Sequence, residues 1–126
     1  MPDGANFALC NRVLLLRSSA GIGIDIALGA LPFEEIAIAR AKRVELEADA
    51  HLMICSAEDL IVMKAFADRP QDGLDLRGIL VRQGTGNLDW KHIWEQLTPL
   101  VEMKESPEIM SHLKGLLTAV RETESF

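Results

Sequence analysis

Along GIGIDIALGAL, residues 21–31, aliphatic side chains alternate with small ones. Successive side chains of a strand point to opposite faces. Ile22, Ile24, Ile26 and Leu28 therefore share one face, which reads as the core face, and Gly23, Asp25 and Ala27 share the other. Two small neighbours leave the Asp25 carboxylate uncovered. The plain reading is a solvent-facing acid in a half-exposed strand; the functional reading is a carboxylate with space above it for a ligand. RVLLLR, 12–17, predicts the preceding strand, 18–21 a turn and 22–28 the returning strand. LPFEE breaks the pattern at Pro32. The alternation of AIARAKRVEL favours a strand over 38–46, and HLMIC, 51–55, predicts another.

The period then changes to that of helices. SAED, 56–59, sets a serine three residues before an acid at the head of an apolar run, a start resembling a capping box. This helix is expected to reach residue 68 or 69 and to stop at Pro70. A second fits 72–82. A third starts at Asp89 and carries Trp90, Ile93, Trp94 and Leu97 at helical spacing. A fourth starts at SPE, with Ser106 as cap and Pro107 in the first turn, and aligns Ile109, Met110, Leu113, Leu116, Leu117 and Val120. The Trp and Leu stripes read as core. The expected fold is α+β: one domain over 1–126, in which a small mixed β-sheet from the strand-rich part, 1–55, packs against a C-terminal bundle of about four helices, 56–126.

Composition narrows the function classes. The chain has 126 residues, 48% hydrophobic and 25% charged, which suits one globular domain with a real core. No apolar run approaches the roughly 20 residues that span a bilayer. MPDGANFALCNR lacks the basic-then-apolar pattern of a signal peptide. A membrane partner is therefore not expected, and the expected location is cytoplasmic. A net charge of −6 argues against sequence-independent nucleic-acid binding. Cys10 and Cys55 form neither a disulfide framework nor a zinc pattern. His51, His92 and His112 match no ligand spacing and read as structural or solvent-facing.

One charged group interrupts the helical pattern. Lys64 falls on the same face as Leu60, Ile61 and Ala67. It either snorkels to water or points its ammonium into a cleft to hold an anion. Arg69, Asp72 and Asp75 follow it around the helix–turn–helix corner. Together these charges suit a phosphate or a metal, or an interlocked set of surface salt bridges worth about 0–1 kcal/mol each.

SAEDLIVMKAFADRPQDGLDLRGIL resembles the fourth motif of nucleotidyltransferases of the polymerase-β-like superfamily, among them the AbiE-type toxins and the minimal nucleotidyltransferases. The matching residues are Glu58 and Asp59, Leu60, Lys64, Ala67, Arg69, Asp72 and Asp75. GIGIDIALGALPFE is similar to that family's later carboxylate strand, with Asp25 in the place of its third metal-binding acid. The likeness covers roughly residues 5–100. It implies Mg²⁺-dependent transfer of a nucleotidyl group from a nucleoside triphosphate to a hydroxyl. Asp25 would act at the catalytic metal and Lys64 at the triphosphate, with Arg69, Asp72, Asp75, Glu58 and Asp59 in support.

The pattern departs from the family at its start. MPDGANFALCN holds neither the Gly-Ser turn nor the Asp-x-Asp pair. One aspartate cannot hold the two metals of such a centre. The expectation is therefore a nucleotidyltransferase-like protein, related to toxin–antitoxin enzymes, that is incomplete and inactive as this chain alone. Mg²⁺ binding is expected to be weak or absent, and a nucleoside triphosphate is the small-molecule partner that the resemblance implies. Sheet edges left unpaired invite association, so a homodimer is expected through one of them. The competing expectation is a protein-interaction module without chemistry, of the antitoxin or scaffold kind.

Overall fold

The computed structural model describes residues 13–125. The segment MPDGANFALCN, with Cys10, and Arg12 of the first expected strand lie outside them. The chain is α+β. In order it runs β1 (Val13–Arg17), β2 (Gly23–Ala27), α1 (Pro32–Arg40), β3 (Lys42–Glu47), β4 (Ala50–Ile54), α2 (Ala57–Ala67), α3 (Pro70–Gln83), a 3₁₀ turn (Thr85–Asn87), α4 (Trp90–Lys104) and α5 (Glu108–Glu124). It divides into two compact units, one ending at Ala39 and the other beginning at Arg40.

The first unit holds the β1–β2 hairpin and nearly all of α1. Ser18 and Gly21 make the turn. The Gly21 amide donates to the Ser18 carbonyl at 2.9 Å, and the Ser18 amide donates to the Ile22 carbonyl at 2.8 Å. Gly21 sits at φ +82, which a side chain would disfavour. The register pairs Leu14 with Ile26, Leu15 with Asp25 and Leu16 with Ile24. The apolar face read from the alternation is thus realised, but it is not a core face. Ile24 and Ile26 are each 42% exposed and Ile22 65%. Alternation fixes which side chains share a face and says nothing of what covers it.

α1 takes the first residues of the strand expected over 38–46. Glu34 explains its start: its carboxylate accepts from the Leu31 amide at 2.8 Å and from the Ala30 amide. Donors at the entry to the helix that would otherwise lack a partner are thereby satisfied. The strand begins only at Lys42, in the second unit, as β3, and pairs antiparallel with β4. The strands therefore make two separate two-stranded antiparallel hairpins, not one mixed sheet.

The second unit buries the helical core. α2 packs on α3, α4 and α5. Ile61, Val62, Leu80, Ile93, Leu97, Ile109, Leu113 and Val120 are almost inaccessible. The stripes of α4 and α5 face inward as their spacing predicts, with Trp90 and Trp94 half-buried and their ring centroids 5.5 Å apart. Two helix starts differ in detail from expectation. Pro70 opens α3 rather than merely ending α2, because Asp68 closes α2 in the left-handed conformation at φ 51. Ser106 does not cap α5 with its side chain. Its hydroxyl donates to the Lys104 carbonyl at 3.4 Å, and Pro107 is the capping residue.

Burial sets the expected response to truncation. Leu97→Ala should cost about 2–5 kcal/mol by urea denaturation, because it opens a cavity among packed helices. Ile24→Ser, on an exposed hairpin face, should stay within about 0.5 kcal/mol. Equal losses from the two would contradict this core.

Candidate functional site

The charges around the α2–α3 corner come together as one cluster. Asp72 is its centre and is 1% exposed. It stands at the third position of α3, where its carboxylate accepts from the Arg69 backbone amide at 3.1 Å. The Arg69 side chain closes on the same carboxylate through Nε at 2.6 Å and Nη2 at 3.1 Å. This bidentate fork matches the plane of a carboxylate. The Lys64 Nζ, reaching across from α2, lies 2.8 Å from Asp75 and 3.5 Å from Asp72. Gln71 donates to the other Asp75 oxygen at 3.0 Å.

These contacts set the protonation states. The Arg69 hydrogen bond outweighs burial and holds the Asp72 carboxyl down at about 2. Lys64 and then Gln71 hold Asp75 below its ordinary range. Asp75 in turn raises Lys64, whose ammonium stays charged. The Lys64 side chain keeps 29% of its exposure, so it sits at the rim of the core. Its charge is answered inside the corner by two carboxylates.

Asp59, placed by sequence beside that group, belongs to a second cluster. It is wholly buried. The Ser56 hydroxyl accepts from the Asp59 amide at 3.1 Å, so Ser56 caps α2 as its position predicts. The Asp59 carboxylate also reaches other elements. It accepts from Arg40 Nε at 3.1 Å and meets His92 Nε2, on α4, at 2.6 Å. Burial pushes the Asp59 carboxyl up, but hydrogen bonds involving His92, Ser56 and Arg40 prevail and hold it below its ordinary value. Sequence reasoning missed Arg40 and His92. His92 lies 33 residues from Asp59, and no local spacing signals such a pair.

The remaining candidates stand apart. Glu58 is half-buried in the first turn of α2 and lines an open groove with Cys55, Ser56 and Asn87. Burial, and then the charge of Asp59, raise the Cys55 thiol above its ordinary value, which makes it a poor nucleophile. Asp25 is exposed on β2 in the first unit, between Gly23 and Ala27 on its face and across from Leu15. His112 meets Asp68 at 3.1 Å in an exposed pair between α5 and the end of α2.

A magnesium ion takes about six oxygen ligands, several of them carboxylates in a two-metal centre. Among the described residues no group of three or more His, Cys, Asp or Glu side chains could hold a metal. No helix among them is long and apolar enough to cross a membrane. No family model, curated protein or solved structure matches the chain.

The corner has a signature in acid. Asp72 is depressed in the folded state, so its contribution to stability is full above about pH 4 and is lost as the pH falls toward about 2. Asp72→Asn should destabilise the protein at neutral pH, and the gap between variant and wild type should shrink across that window. Denaturation midpoints measured from pH 7 to pH 2 check this; a gap independent of pH would contradict it. Asp59→Ala should be costlier than surface substitutions in urea denaturation, because His92 and Arg40 lose a partner inside the core.

Proposed function

We propose that the protein is nucleotidyltransferase-like, that its helical half carries the family's fourth motif as a prefolded scaffold, and that this chain by itself transfers no nucleotide. The observation that carries the reading is the spatial union of Lys64, Arg69, Asp72 and Asp75 in one interlocked corner. The resemblance requires these four to act together, and their spacing brings them together across a helix–turn–helix. Asp25 adds support from the other unit: it is an open carboxylate with small neighbours, as the family's third acid would be.

The geometry also bears on what the corner does. Lys64, Arg69, Asp72 and Asp75 satisfy one another, so their first role is to fix the angle between α2 and α3. Lys64 at the rim and Arg69, whose side chain is 72% exposed, both lie within reach of an anionic ligand, which would compete with Asp75 and Asp72. Chemistry of the family kind would need carboxylates from beyond the described residues or from another chain. A second reading, an interaction module without chemistry, is favoured by a different observation. Both hairpins present aliphatic side chains to solvent, and exposed apolar faces of this kind mark association surfaces.

Nucleotide transfer tests the claim of inactivity, and nucleotide binding separates the readings. Pure protein with Mg²⁺, each of the four labelled nucleoside triphosphates and an RNA acceptor should give no incorporation. Incorporation abolished by Asp25→Ala would overturn the claim of inactivity. Calorimetry with the same Mg²⁺–nucleotide mixtures should show at most millimolar binding, weakened by Lys64→Ala. No heat in any titration would leave the interaction module as the better description.

A further inference from the structure

The β3–β4 hairpin pairs with no other strand among the described residues. The outer edge of β3 thus carries N–H and C=O groups outside the ladder, a template for another strand. A hairpin of two strands is marginal by itself, whereas three or more strands are stable. The register places Val44 with Leu52 and Lys42 with Ile54 on one face, and Arg43 with Met53 and Glu45 with His51 on the other. Val44 is 39% exposed, Leu52 54% and Ile54 42%, a large apolar area for a face left to water.

Charge selects the partner. β1 contains one charged residue, Arg17, and β2 one, Asp25; β4 contains no Asp, Glu, Lys or Arg. β3 alone carries both signs, and it separates them: KRVELE has its cations at the start and its acids toward the end. Such a strand is complementary to an antiparallel copy of itself. Opposite charges directly across a strand pair stabilise it and like charges destabilise it. Centring the pairing on Glu45 would oppose two acids, and centring it on Arg43 would oppose two cations. Centring it on Val44 sets Arg43 against the partner's Glu45, and by symmetry Glu45 against the partner's Arg43. That register also lies ahead of the irregularity between Glu45 and Glu47.

We propose that β3 pairs antiparallel with β3 of a second copy of this chain, about a two-fold axis through Val44, to give a four-stranded sheet in the order β4-β3-β3-β4. The interface is isologous, so each charge pair forms twice. Val44 packs against the partner's Val44 on the apolar face, beside Leu52 and Ile54 of both copies. This assembly is independent of the nucleotide reading and holds whether or not the chain binds a nucleotide.

A charge swap tests it. Sedimentation equilibrium at micromolar concentration should show the wild type as a dimer. Arg43→Glu puts acids opposite acids, and Glu45→Arg puts cations opposite cations; each should raise the dimer dissociation constant at least about tenfold. In an equimolar mixture of the two variants, one chain presents acids at both positions and the other presents cations at both. Every pair across the axis is then again of opposite sign, and the mixture should dimerise. Both positions are exposed, so an unchanged helical melting transition by circular dichroism distinguishes loss of the dimer from unfolding. A monomeric wild type, a dimer unaffected by either swap, or a mixture that stays monomeric would each overturn the proposal.

Discussion

A carboxylate buried among helices must be neutralised where it lies, and the helical unit is organised around two of them. Removing an ionised group from water costs several kcal/mol unless cations and donors replace the solvent. Asp72 and Asp59 are both essentially inaccessible. Each recruits its partners from more than one element. Asp72 draws Arg69 from the turn and Lys64 from α2, which sets how α3 leaves α2. Asp59 draws Arg40 from the start of the unit and His92 from α4. The aliphatic core supplies most of the driving force, but it would accept several helix arrangements. The buried charges accept few, because an unpaired one is so costly.

The same constraint bears on any chemistry the corner could host. A functional cation must be available to a ligand, and a structural one must be occupied by its counter-ion. Arg69, held by a bidentate carboxylate yet 72% exposed, and Lys64, paired yet at the rim, both lie between the two. The nucleotidyltransferase-like reading rests on that intermediate position and on the openness of Asp25. It assigns the helical unit to support and leaves the chemistry to groups beyond the described residues. The exposed hairpins stand beside that helical half with aliphatic strand faces open to water, the kind of surface on which proteins associate.

Much of this was legible from residues alone where a local rule governs. The α+β class follows from the change of period near Ser56. The inward stripes of α4 and α5 and the serine cap of α2 depend on contacts within a turn or two of helix, or on one-sided burial that leaves a periodic trace. The partition of β2 into an aliphatic face and the face of Asp25 depends on the pleat, whereas the pairing with β1 brings Val13 and Leu15 onto the Asp25 face. The grouping of Lys64, Arg69, Asp72 and Asp75 was equally visible, because only a short turn separates the two helices that carry them.

Other features had to wait for the folded chain. Whether the aliphatic face of β2 is covered cannot be read from alternation, since a period specifies a face and not its neighbour. Residues 38–40 belong to an alternating run that suggests a strand, yet they end a helix that Glu34 starts by accepting from the amides of Ala30 and Leu31. The acid of SAED looks like a reciprocal cap; only when α4 is folded against α2 does His92 arrive as a further partner for it. Amino-acid order alone was enough for most of the elements and for the sign of each charge, because those depend on neighbours a few residues away. Which charge neutralises which was left to the tertiary structure, because burial makes that choice and burial is a property of the assembled core.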